Sequence, residues 1–163
     1  MTEPTTVYLG IGSNLGNREA NLDRAIEMLS ERMKVGKVSS IYDTEPLDNP
    51  DQPRFLNMVC EVSTRLTPEG LLVLARGIES KMGRVSKTGQ PRTIDIDILL
   101  FGDVVMDTPD LVIPHPRMIR RAFVLVPLAE IAPDLVHPVD GRTIGELKQA
   151  VKEVQGILKL EDE

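Results

Sequence analysis

The chain has 163 residues, 41% hydrophobic and 27% charged, enough apolar material for one core and too much for a disordered chain. Its net charge of -6 argues against a general nucleic-acid binder, and its single cysteine, Cys60, excludes an internal disulfide and a thiolate zinc cluster. Met1-Thr2-Glu3-Pro4 carries no signal-peptide pattern and no apolar run reaches the ~20 residues of a membrane span, so a single cytoplasmic domain, residues 1–163, is expected, without membrane or nucleic-acid partners.

Val7-Tyr8-Leu9-Gly10-Ile11 is short and apolar, the pattern of a buried strand. Gly10-Ile11-Gly12-Ser13-Asn14-Leu15-Gly16 lacks the spacing of a dinucleotide fingerprint and the Lys-Ser/Thr pair of a P-loop, so it is taken as a strand-to-helix turn. Leu22, Ala25, Ile26, Leu29 and Met33 recur at helical spacing, with Gly36 as the expected stop. A β-rich stretch, 38–42, then enters the loop 45–53, whose three prolines exclude regular structure. Residues 55–64 alternate in part as a strand, with Cys60 expected to be buried and inert.

Thr67-Pro68-Glu69 combines an N-cap hydroxyl, a proline at the first helical position and an acid near the positive dipole end. Leu71, Leu74, Ala75, Ile78 and Met82 form the apolar stripe of that helix and Gly83 ends it. A second loop, 84–91, precedes a strand over 93–101. The order β-α-β-β-α-β predicts an α+β, ferredoxin-like fold, an antiparallel sheet with two helices on one face. A short helix over 120–131, interrupted at Pro127, and a terminal helix over 143–158 are expected to follow as a C-terminal extension.

Arg92-Thr93-Ile94-Asp95-Ile96-Asp97-Ile98-Leu99-Leu100 carries the sharpest chemical signal. Alternate strand side chains share a face, so Asp95 and Asp97 point the same way, ~6.6 Å apart at Cα, while Ile94, Ile96, Ile98 and Leu100 are expected to face the core. Paired carboxylates on an apolar strand repel each other and resist burial, and a divalent cation removes both problems. Few protein oxygens favour Mg²⁺, which completes its shell with water and substrate phosphates; two solvated acids on an exposed face are the bland alternative.

Residues 76–92 hold five cations against one acid, a local +4, and Arg117, Arg120 and Arg121 form a second basic cluster. In an acidic protein such clusters suit a small anionic ligand better than a polyanion, or else form a solvated face. Between them His115, held between Pro114 and Pro116, is either structural or a donor to phosphate.

Taken together, Gly12-Ser13-Asn14-Leu15, Thr44-Glu45-Pro46-Leu47, Asp51-Gln52-Pro53 with Phe55-Leu56-Asn57, Gly83-Arg84-Val85, Pro91 to Asp97, Pro114-His115-Pro116 with Arg121 and Phe123, and Glu130 to Leu135 resemble the 6-hydroxymethyl-7,8-dihydropterin pyrophosphokinases of folate biosynthesis. The resemblance implies a ferredoxin-like enzyme, monomeric, that transfers pyrophosphate from ATP to the pterin hydroxymethyl oxygen and releases AMP. It implies that Asp95 and Asp97 hold two Mg²⁺ ions, and that Arg84, Arg92 and Asp97 are catalytic. Arg84, Lys87, Arg92, Ile98, His115 and Arg121 would bind ATP. Phe55 and Phe123 would sandwich the pterin ring, with Asn57 and the segment Thr44, Pro46 and Leu47 reading its edge.

Against the family pattern the loop 84–91 is short and has no aromatic residue, Gln90 stands where Gly is common, and Ser86, Asp48 and Pro116 also depart from frequent types. A less tightly sealed site is expected. No general base is obvious; Asp97 and a metal-held water both qualify. A non-catalytic ferredoxin-like binding module leaves the paired aspartates unmotivated, and a kinase acting on another heterocyclic alcohol would release ADP rather than AMP.

Overall fold

The computed structural model describes residues 3–45, 53–83, 93–151 and 157–160. Strand β1, Thr5–Ser13, sits inside a six-stranded sheet between β4, Phe55–Thr64, and β5, Asp95–Phe101, and pairs antiparallel with both. Short strands β2, Lys34–Val38, and β3, Tyr42–Thr44, pair one after the other along the far side of β4. The order β5-β1-β4-β3 is that of a ferredoxin-like sheet, as the element order predicted.

Alternation along the strands makes two cores. Val7, Leu9 and Ile11 of β1 meet Leu56, Met58 and Ile96 under two helices. These are α1, Arg18–Ser30, capped by Asn17 through Ala20 N–H at 3.1 Å, and α2, Pro68–Lys81, capped by Thr67 through Gly70 N–H at 3.0 Å. On the opposite face Tyr8, Val59 and Leu99 pack against Leu125, Leu128 and Leu147 of α3, Ala122–Ile131, and α4, Ile144–Ala150. Each fully buried leucine there contributes roughly 1.5–3 kcal/mol.

Several sequence expectations change. Gly36 does not stop a helix but lies within β2, because α1 ends at Ser30. The β-rich stretch 38–42 is split: between β2 and β3 the Ser39 hydroxyl accepts from Val59 N–H at 2.9 Å, a side chain standing in for the ladder. Leu100 faces the second core rather than the first, since the register slips between Tyr8 and Leu9 and makes Leu99 an extra residue in β5.

Pro127 does not interrupt α3, which runs through it; the ring sits buried in the apolar interface, where packing outweighs one lost ladder bond. The terminal helix over 143–158 is also shorter than expected. α4 stops at Ala150, and Ile157–Lys159 forms a strand, β8, antiparallel to β3. A small hairpin, β6 Met106–Asp107 and β7 Val112–Ile113, lies outside the main sheet. Among the described residues no helix is long and apolar enough to cross a membrane.

Candidate active site

Helices α3 and α4 pack on Tyr8, Val59 and Leu99, and the same face of the sheet continues to Asp95, Asp97 and Asn57. Asp95 lies opposite Gly12 and Asp97 opposite Gly10, so both carboxylates rise from one face beside two residues that have no side chain. Gly12 in turn lies opposite Asn57 of β4, and Asn57 opposite Tyr42 of β3. A row of β5, β1, β4 and β3 thus presents an acid, a flat glycine, an amide and a phenol on the same side.

At Gly12 the missing side chain is a steric requirement, whereas a Cβ on Gly10 would meet only the Leu99 side chain at an ordinary 3.5 Å. A Cβ on Gly12 would stand 2.5 Å from Asn57 Oδ1 and 3.5 Å from the Phe55 ring, too close for the amide to stay where it is. Asn57 is held from its other end, where Nδ2 donates to the buried Thr44 Oγ1 at 2.7 Å. Its carboxamide is therefore fixed, with donor and acceptor orientations set by one hydroxyl. Phe55 shares this face and is paired with Thr44.

The turn after β1 begins later than the sequence suggested, since Gly10, Ile11, Gly12 and Ser13 belong to the strand. Gly16 takes a positive φ of 74°, and Asn21 Nδ2 donates to Leu15 O at 2.8 Å and to Ser13 Oγ at 3.1 Å. Asn14, buried, donates to Pro53 O at 3.3 Å and fastens the turn to the start of β4.

A second wall comes from the segment before α3. His115 donates its backbone N–H to Leu99 O at 2.9 Å, and its ring Nδ1 accepts from Arg117 N–H at 3.3 Å. That bond leaves the ring proton on Nε2. Burial, followed by the charges of Arg121 and Arg117, lowers its pKa to about 4 against a smaller opposing effect of Asp95, so His115 is a neutral donor at pH 7. Arg121, the N-cap residue of α3, stacks its guanidinium 5.3 Å from the centre of the Phe123 ring. Beside Asp97 opens a cavity of about 220 Å³, lined by Leu72, Arg76, Ile98, Val112 and His115 among others.

Asp95 and Asp97 share a face of β5, and Ile98 and His115 border the same cavity as Asp97. Asn57, Thr44 and Phe55 share the sheet face to one side, and Arg121 and Phe123 meet each other at the start of α3. Arg84, Lys87, Arg92, Pro46 and Leu47 lie outside the described residues, as does the short loop 84–91. Arg76, counted in the first basic cluster, contacts the Glu79 carboxylate at 2.8 Å and also lines the cavity beside Asp97. The sequence reading puts Gly10 in the first strand and both glycines in the strand-to-helix turn, and it leaves unused that their spacing of two matches that of the aspartates.

The donor set fits a hard cation that brings other ligands with it. Two carboxylates stand opposite two glycines, and among the described residues no group of three or more His, Cys, Asp or Glu gathers into a complete cage. Mg²⁺ is held in this way, by one or two carboxylates together with substrate phosphates and water.

Comparison with known proteins follows the same line. Residues 8–133 match the family model described as 7,8-dihydro-6-hydroxymethylpterin-pyrophosphokinase. The chain is 48% identical over 127 residues to the 2-amino-4-hydroxy-6-hydroxymethyldihydropteridine pyrophosphokinase of Bacillus subtilis, covering 76% of each. It is 46% identical over 148 residues to the enzyme of the same name from Pseudomonas aeruginosa, covering 88% of this chain and 90% of that one. The folic acid synthesis protein fol1 of Pneumocystis carinii is 47% identical over 140 residues, but the match spans 85% of this chain and only 19% of that longer protein. Wild-type Plasmodium falciparum HPPK-DHPS, solved with pteroate, superposes with a TM-score of 0.74 at 17% identity over 91% of this chain and 44% of that one, a likeness of fold.

Proposed function

The chain belongs to the 7,8-dihydro-6-hydroxymethylpterin-pyrophosphokinase family, and from that membership we propose that it uses Mg-ATP to pyrophosphorylate 6-hydroxymethyl-7,8-dihydropterin, releasing AMP. The observation that carries the Mg-ATP reading is the opposition of Asp95 and Asp97 to Gly12 and Gly10, on the face that also bears Asn57 and Phe55. Phosphate and pterin chemistry then meet along one row of the sheet.

In this reading the pterin lies between Phe55 and Phe123, two of the chain's three phenylalanines, with Asn57 and the Thr44, Pro46 and Leu47 segment matching its polar edge. Asp95 and Asp97 hold two Mg²⁺ ions against the triphosphate. When bound, these ions supply charge neutralisation and polarise the phosphoryl group. Neutral His115 donates from Nε2 to a phosphate oxygen, and Arg121 adds positive charge while its stacking on Phe123 ties the phosphate side to the pterin side. Arg84, Lys87 and Arg92, which lie outside the described residues, would add positive charge for the phosphates, and the nucleoside occupies the cavity bordered by Ile98.

The hydroxymethyl oxygen attacks the β-phosphorus in line. An O–P bond forms there as the bond from that phosphorus to the α,β-bridging oxygen breaks; the oxygen departs on AMP, and the hydroxyl proton passes to Asp97 or to water. Positioning and electrostatic stabilisation supply most of the rate. All the residues invoked belong to one chain, which suits a monomer acting in the cytoplasm. The test is incubation with Mg-ATP and the dihydropterin, followed by nucleotide chromatography. AMP with pterin diphosphate is expected. ADP would make it a simple kinase, and no turnover would remove the reading.

A further inference from the structure

Among the described residues no strand pairs with the outer edge of β5, and side chains of α2 bond to it instead. β5 ends the sheet order, and Ile96, between Asp95 and Asp97, turns both backbone polar groups outward. Its N–H donates to Glu79 Oε2 of α2 at 2.8 Å and its carbonyl accepts from Arg76 Nη1 at 3.1 Å. The same Arg76 nitrogen lies 2.8 Å from each Glu79 oxygen. Glu79 is only 1% exposed, and Ile78 beside it belongs to the core.

Burying a carboxylate costs several kcal/mol before pairing is counted, and a leucine would fill the same space without that cost. What a leucine lacks is direction. In an antiparallel ladder alternate residues face opposite edges, so Asp95 and Asp97 turn their backbones to β1 while Ile96 turns to α2. β1 therefore fixes the aspartate backbones from one side and the Glu79–Arg76 pair fixes the residue between them from the other. Without that second hold, an edge strand is free to twist, and its two carboxylates diverge.

We propose that Glu79 and Arg76 are positioning residues that set the spacing of the Asp95 and Asp97 carboxylates for divalent cation binding by clamping the Ile96 peptide. The inference rests on the reading of Asp95 and Asp97 as cation ligands. Its effect is on metal affinity: partners that orient metal ligands typically account for roughly 10- to 100-fold in binding. The pterin side, two strands away on β4 and β3, is left alone.

The test compares wild type, Glu79→Leu and Glu79→Gln by Mn²⁺ titration with a non-hydrolysable ATP analogue, followed by electron paramagnetic resonance. Pterin affinity and hydrogen exchange at the Ile96 amide are measured alongside. Glu79→Leu is expected to lose roughly 10- to 100-fold in Mn²⁺ affinity and to speed exchange at Ile96, with pterin affinity held. Glu79→Gln, which keeps an acceptor for that amide, recovers most of the loss. Wild-type Mn²⁺ affinity in a folded Glu79→Leu protein overturns the inference alone, and so does an equal loss of pterin affinity. Absence of Mn²⁺ binding by the wild type overturns the cation reading, and the inference with it. Should Glu79→Leu not fold, Arg76→Met at a half-exposed side chain is titrated in its place, with weaker Mn²⁺ binding expected and unchanged binding decisive against.

Discussion

Asn57 occupies the space that a side chain on Gly12 would need, its Oδ1 lying 2.5 Å from where that Cβ would be. The contact joins the strand that faces Asp95 and Asp97 to the strand that carries Asn57 and Phe55, the proposed cation and pterin sides. Gly12→Ala must therefore push the Asn57 amide off its Thr44 hydroxyl, now 2.7 Å away. The obstructing atom ends a side chain, so the fold survives while the amide swings. Loss of about one hydrogen bond to substrate predicts weaker pterin binding by up to about tenfold. Calorimetry with the pterin, and a melting curve to verify folding, check this; unchanged affinity would remove Asn57 from the pterin edge.

Asp97→Asn keeps the shape of the side chain and removes its charge. Since Asp97 is half-buried at a strand position whose pairing with Gly10 is made by backbone, little change in stability is expected, within the ~2–4 °C in Tm that about 1 kcal/mol represents at this size. Activity should fall by about 10³-fold, the equivalent of the several kcal/mol a metal contributes to charge stabilisation. A folded Asp97→Asn protein that still releases AMP at the wild-type rate would end the metal assignment.

These two sites differ in how far they could be anticipated from residues alone. Asp95 and Asp97 are legible because strand geometry makes a period of two visible, and Thr67-Pro68 announces α2 because capping is local. The bulge at Leu99, which sends Leu100 to the second core, depends on a register across β1 and leaves no mark in the residues themselves. The same holds for Glu79: its bond to Ile96 spans 17 positions and joins a side chain to a peptide group, so neither periodicity nor motif spacing betrays it. The C-terminal segment was misjudged for a related reason, as pairing with β3 outweighs its local helical pattern.

Glu130 links the helix bearing Phe123 to the strand bearing Thr44, and it makes the stability of that link depend on pH. Its carboxylate accepts from Tyr42 OH at 2.7 Å, Ser40 Oγ at 2.7 Å and Ser40 N–H at 3.1 Å. Burial alone would raise its pKa, but these bonds, with Lys159 nearby, together lower it below 4.5; Tyr42, by contrast, is pushed up to about 12, by burial first and Glu130 second. A depressed carboxylate pKa means that the unfolded chain takes up the proton first. The stabilisation is therefore complete above the unfolded value near 4.5 and is lost as the pH falls through the lower folded value. Glu130→Gln should lower Tm at pH 7 by a few degrees at most, from roughly 0.5–1 kcal/mol of charge-assisted hydrogen bonding at an exposed side chain that solvent screens, and the gap to wild type should close toward pH 3. A gap that stays constant from pH 7 to pH 3 would show that the ionised carboxylate is not what holds α3 to β3.

β3 is only three residues long and ends at Thr44, so its position depends on what pairs with each edge. β4 holds one side, and β8 holds the other, in register from Tyr42 opposite Lys159 to Thr44 opposite Ile157. Leu160 N–H extends the ladder to Ile41 O at 2.7 Å, while Leu158 is 68% exposed, so the pairing is held by backbone bonds more than by burial. Removing residues 157–163 should cost about 1–3 kcal/mol, a few hydrogen bonds at 0.5–1.5 kcal/mol each. It should also let Thr44 drift from Asn57, since a short strand freed on one edge frays from that edge. The expected kinetic result is a raised KM for the pterin with the KM for ATP unchanged, because the phosphate side rests on β5 and the His115 segment. Equal increases in both would mean that β8 supports the sheet as a whole, and no increase in either would mean that β4 alone is enough to hold Thr44.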